Sequence, residues 1–151
     1  MHRIVRYLCI IIALLALPAC KGPKLSVANE QMARGEFFDA SKTYRKVYNS
    51  LNPRDQRELR GEVAYKLATC YRRLNQAARA TAAYQNAIRY EYPDSMVYYY
   101  LGRSLQAEGK YQQAIDAYAL YQQWHPDDIL AREGIRGCRT AMAKKGTRDT
   151  R

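Results

Sequence analysis

The residues able to do chemistry are few and badly spaced for it. Histidine occurs at His2 and His125, and cysteine at Cys9, Cys20, Cys70 and Cys138. No Cys-x-x-Cys or His-x-x-x-His spacing is among them, so a zinc site has almost nothing to be built from and no metal is expected. His125 sits beside Pro126 with no nucleophile to activate, the acidic residues are scattered, and no Gly-rich phosphate loop occurs. Catalysis and a cofactor are therefore not expected. What remains is arginine, lysine and tyrosine: 25 Lys and Arg against 14 Asp and Glu give a formal net charge of +11, and there are 14 tyrosines. Such a surface suits the holding of an anionic partner better than a reaction.

One cysteine could carry a covalent group. Residues 1–20 read MHRIVRYLCIIIALLALPAC, a basic head followed by an apolar stretch from Tyr7 to Leu17. The stretch is short of the roughly 20 apolar residues a membrane span needs and reads as a secretory signal. Leu17-Pro18-Ala19-Cys20 resembles the lipobox of bacterial lipoproteins, although Pro18 departs from the small residue usual there. The resemblance implies a signal peptide over 1–19, lipid attachment at Cys20, a linker over 20–24 and membrane association through that anchor. Lys21 in place of Asp resembles lipoproteins forwarded to the outer membrane, which implies the periplasmic face of the cell envelope. An exported chain meets little DNA, and its arginines form no recognition motif, so nucleic acid is not an expected partner.

The elements that would position the arginines and tyrosines follow from an internal repeat. Gly35-Glu-Phe37-Phe-Asp-Ala40, Asn75-Gln-Ala77-Ala-Arg-Ala80 and Gly109-Lys-Tyr111-Gln-Gln-Ala114 align, and each leads four residues on to Tyr44, Tyr84 and Tyr118. Upstream, Leu67-Ala68 matches Leu101-Gly102, and Pro93 and Pro126 close the units. These features resemble the tetratricopeptide repeat (TPR). The resemblance implies an all-α fold: a right-handed superhelical solenoid of helix–turn–helix units over about 25–53, 54–93 and 94–126, with a capping helix over 127–143. Small residues at Ala28 and Ala40, Ala68 and Ala80, and Gly102 and Ala114 mark where paired helices cross most closely. Asn75 takes the place of the turn glycine because it tolerates a left-handed backbone. Asn52 and Pro53 suit a helix start. Tyr44, Tyr84 and Tyr118 are expected in the core, and Gly134 and Gly137 are expected to weaken the last helix by up to about 1 kcal/mol each. Cys70 and Cys138 lie two units apart, beyond the roughly 7 Å a disulfide spans. The tail 144–151 has no apolar face and is expected to be disordered.

In such a solenoid the first helix of each unit lines a concave groove. Transfer by repeat position points to Asn29, Met32, Tyr65, Thr69, Arg72, Arg73, Tyr99, Arg103 and Gln106, a basic and aromatic strip suited to an acidic or C-terminal peptide segment. The carboxylate clamp of chaperone-binding members is not reproduced, since Leu25, Met96 and Tyr100 stand where its basic side chains would be. The runs Tyr65-Lys-Leu-Ala-Thr-Cys70-Tyr71-Arg, Tyr98 to Gly102 and Ala131 to Cys138 are similar to the N-terminal repeats of OmpA-family envelope lipoproteins, including those associated with type IX secretion. There the repeats precede a propeller and a peptidoglycan-binding domain, and peptidoglycan binding is not carried over to the repeats here. The expected function is a lipid-anchored scaffold that holds a partner protein or peptide; the alternative is a structural spacer or a truncated paralogue of a larger envelope protein.

Overall fold

The computed structural model describes residues 24–149, all-helical apart from turns. Seven helices follow one another: α1 Leu25–Ala33, α2 Phe37–Ser50, α3 Arg57–Arg73, α4 Ala77–Arg89, α5 Met96–Ala107, α6 Tyr111–Gln122 and α7 Ile129–Asp149. Each packs on its sequence neighbour, and α5 also meets α7, so the array is a solenoid of helix–turn–helix units. The expected signal segment, 1–19, and Cys20 lie outside the described residues.

The turns inside the three hairpins are built alike. Gly35, Asn75 and Gly109 have φ of 77°, 56° and 74°. The amide that follows each of them reaches back to a carbonyl of the last helical turn: Glu36 to Gln31 at 2.9 Å, Gln76 to Tyr71 at 2.9 Å and Lys110 to Leu105 at 2.9 Å. These left-handed stops reverse the chain and satisfy carbonyls a helix end would otherwise orphan. Asp94 and Asp128, 34 residues apart, begin α5 and α7 by accepting from the Met96 amide at 2.9 Å and the Leu130 amide at 2.7 Å.

Between units one and two the added residues lengthen the entry loop of α3. Asn52 caps a turn, its Oδ1 accepting from the Arg54 amide at 2.8 Å, but regular helix begins only at Arg57. The added residues are secured by Arg60, whose guanidinium lies 4.1 Å from the Tyr48 ring centroid and 5.0 Å from that of Tyr90. Its Nη1 donates to the carbonyls of Tyr48 at 3.0 Å and Leu51 at 2.6 Å. One side chain thus joins α2, α3 and α4.

The core follows the period. Tyr44, Tyr84 and Tyr118 are at most 1% exposed, and Ala28, Ala40, Ala68, Ala80 and Ala114 are fully buried. Gly102 is small for a different reason from the one the repeat suggests: a Cβ there would stand 2.8 Å from the Tyr118 ring. A Cβ on Gly134 would stand 2.6 Å from Cζ of that same ring, so α5 and α7 close on Tyr118 from both sides. At the preceding junction Tyr100 stacks on Tyr84, centroids 6.1 Å apart.

The tail departs from expectation. Helix α7 continues through Asp149 rather than ending at Ala143. No proline follows Pro126, Ala143, Lys144 and Lys145 are good helix formers, and cations suit the C-terminal end of a helix.

Candidate functional site

The first helices α1, α3 and α5 carry the nine residues expected to bind, and the structure sorts them into three sets. Asn29 and Met32 on α1, and Gln106 on α5, are each held by the repeat tyrosine of their own unit. The Tyr44 hydroxyl donates to Asn29 Oδ1 at 2.8 Å and approaches Met32 Sδ at 3.4 Å, and the Tyr118 hydroxyl donates to Gln106 Oε1 at 2.8 Å. Asn29 Oδ1 also accepts from Lys66 Nζ at 3.1 Å.

The second set is an open strip on α3 and α5. Tyr65 is half-buried, stacked on Tyr92 at 4.4 Å and edge-on to Tyr84 at 5.8 Å. Thr69 beside it donates to the Tyr65 carbonyl at 3.0 Å. Arg72 is half-buried, its guanidinium 4.4 Å from the Tyr100 ring centroid, a cation–π contact that orients it. Arg72 and the exposed Arg103 line one cavity of about 240 Å³.

The third set lies elsewhere. Arg73 is exposed and stands 5.0 Å over the Phe37 ring of α2, outside the cavity lining. Tyr99 is only 8% exposed and packs on Tyr118 at 5.8 Å and Tyr121 at 5.6 Å, so it belongs to the core. Tyr65 and Tyr99 are 34 residues apart and touch their own unit's repeat tyrosine alike; the difference is what covers them. Tyr121 closes over Tyr99, whereas Ala87, its counterpart one period earlier, leaves Tyr65 open. The aromatic residue reaching Arg72 from α5 is Tyr100, which repeat position did not select. Its signal in the sequence is its place 16 residues after Tyr84, the same offset that puts Gly134 against Tyr118.

Polar atoms in this region are left over. Arg72 Nε and the Tyr84 hydroxyl are buried without a hydrogen-bond partner. The hydroxyl lies beside Thr69 and Arg72 without closing a well-directed bond to either, and burial pushes the Tyr84 phenol up despite the opposing pull of these neighbours. Among the described residues no three His, Cys, Asp or Glu side chains cluster as a metal would require. None of the described helices is long and apolar enough to cross a membrane.

The tetratricopeptide repeat family matches residues 62–95 and 96–128. The two matched stretches run from within α3 to the residue before α7. No curated protein matches the chain. Among solved structures, the first TPR of Spaghetti (RPAP3) bound to the HSP90 peptide SRMEEVD is 20% identical, with a TM-score of 0.66 over 78% of this chain and 89% of that one. The second TPR domain of human RPAP3 in complex with the HSP70 peptide SGPTIEEVD is 15% identical, with a TM-score of 0.64 over 76% and 90%. The Sgt2 TPR domain from Aspergillus fumigatus is 17% identical, with a TM-score of 0.63 over 87% and 83%. At these identities the likeness is one of fold, and the helical hairpin of α1 and α2 lies before the matched residues.

Proposed function

We propose that this chain is a non-enzymatic TPR scaffold that holds a protein or peptide segment along the face of α1, α3 and α5. The observation that carries the reading is the open strip of Tyr65, Thr69, Arg72 and Arg103, where aromatic area and cations stand beside a cavity unused by the fold. Tyrosine supplies broad contact at little entropic cost, and guanidinium supplies directional donors. Two structural neighbours are bound to peptides, SRMEEVD and SGPTIEEVD, which supports a peptide as the class of ligand. The setting we propose is the bacterial cell envelope, with lipid on Cys20 tethering the domain at the periplasmic side of the outer membrane, in the manner of the OmpA-family lipoproteins its repeats resemble.

Placing a photo-crosslinking residue at Tyr65 or Arg103, and at exposed Arg45 on α2 as control, tests this in cells. A discrete adduct from the first two positions alone is expected. Equal labelling from Arg45 would refute groove binding and leave a spacer as the better description. Cys20→Ser tests the tether: the chain should leave the membrane fraction, and its retention there would overturn anchoring.

A further inference from the structure

We infer that the cavity between α3 and α5 is a single carboxylate subsite, in which Arg72 and Arg103 together seat one acidic group of the bound segment. The inference rests on the scaffold reading and names the chemistry of its ligand. Arg72, Asn75, Ala77, Arg103, Ser104 and Ala107 line the cavity. Its two cations have no anion of their own: among the described residues neither Arg72 nor Arg103 enters an ion pair, although Lys66, Lys110 and Arg57 nearby in the array each do. Two guanidinium groups sharing one recess repel one another, and an anion between them turns that repulsion into paired, charge-assisted hydrogen bonds.

Three further features point the same way. Arg72 is held from below by the Tyr100 ring at 4.4 Å, so its fork is oriented before any ligand arrives. Its Nε is buried beside the Tyr84 hydroxyl without a well-directed bond, so the fold leaves this guanidinium unsatisfied. Ala77, the first residue of α4, lines the recess, and α4 has no side-chain cap, so its N-terminal dipole adds positive potential there. The apolar walls Ala77 and Ala107 suit the short aliphatic stem of a carboxylate.

The carboxylate could be an acidic side chain or a chain terminus, and small probes separate the two. The full chain with isotope-labelled arginine is titrated with N-acetylglutamate α-amide, N-acetylglycine and inorganic phosphate while the arginine Nε–H signals are followed. Saturable shifts confined to Arg72 and Arg103 are expected with a carboxylate probe, the tighter of the two naming the source. Arg103→Gln, at an exposed position, should weaken that binding by about tenfold or more. A uniform drift of all arginine signals, an unaltered affinity in Arg103→Gln, or tighter binding of phosphate than of either carboxylate would overturn the proposal. The two readings fail separately: carboxylate binding without any cross-linked partner removes the scaffold alone, and a cross-linked partner with Arg72 unmoved by carboxylate removes the subsite alone.

Discussion

Replacing Gly134 by alanine is the sharpest test of how the last helix is seated. An alanine Cβ would stand 2.6 Å from Cζ, 2.7 Å from Cε2 and 3.1 Å from Cδ2 of Tyr118. The ring cannot retreat, because Gly102 meets its other edge with the same lack of clearance, a Cβ there lying 2.8 Å from Cδ1 and Cε1. Overpacking of this kind costs about 1–3 kcal/mol. Alanine returns about 1 kcal/mol of helix propensity, so Gly134→Ala should lose up to about 2 kcal/mol net and stand about 1–3 kcal/mol below Gly137→Ala. Gly137 in the same helix is the internal control. A Cβ there meets only the Gln106 amide at 3.3 Å, the far end of a flexible side chain, so Gly137→Ala should be neutral or gain up to about 1 kcal/mol. Urea unfolding followed by far-ultraviolet circular dichroism reads both differences. In a Tyr118→Leu background the penalty at position 134 should shrink, since the ring that causes it is gone. If Gly134→Ala were as stable as Gly137→Ala, the clasp on Tyr118 would not exist as described.

Arg60→Lys should cost about 1–2 kcal/mol, because an ammonium cannot stack between Tyr48 and Tyr90 and serve two carbonyls with a planar fork; thermal unfolding reads the loss. The Tyr121 hydroxyl bond and the amides of Ala131 and Leu130 hold the Asp128 carboxyl below its usual range. A depressed folded value means its stabilisation is complete above the unfolded value near about 3.9 and is lost as pH falls through the lower, folded value. Asp128→Asn should therefore flatten the acid limb of a stability–pH profile. Burial pushes the Cys70 thiol up to about 11 and the Cys138 thiol up as well, so neither should react with iodoacetamide at pH about 8 until the chain unfolds, which mass spectrometry of the alkylated protein checks.

The hairpins were legible because each unit repeats a turn residue, a small crossing residue and a tyrosine at fixed offsets, and Gly35, Asn75 and Gly109 adopt the backbone those offsets demand. Four of the nine candidate residues, Tyr65, Thr69, Arg72 and Arg103, share one strip of α3 and α5, as repeat position suggested. Repeat position fails where neighbouring units differ in bulk. Transfer from Tyr65 to Tyr99 ignores that Tyr121 stands where Ala87 stood one period earlier and packs on the second ring. Arg73 was assigned to the strip by repeat position, but it stands about 100° of helix rotation beyond Arg72, over Phe37. Gly134 seemed a weakness when only helix propensity was weighed, whereas its role depends on a ring sixteen residues earlier. The tail was judged by its missing apolar face, yet α7 continues through it as an extension of a helix already nucleated and packed.

The contrast between the last two junctions gives the array an uneven step. A whole tyrosine, Tyr100, stands between the α5 backbone and the Tyr84 ring, while nothing stands between the α7 backbone and the ring of Tyr118. Spacers of such different thickness cannot set the same pitch. The seat of the last helix is therefore drawn tight against one ring, while the junction before it is padded by a second aromatic layer.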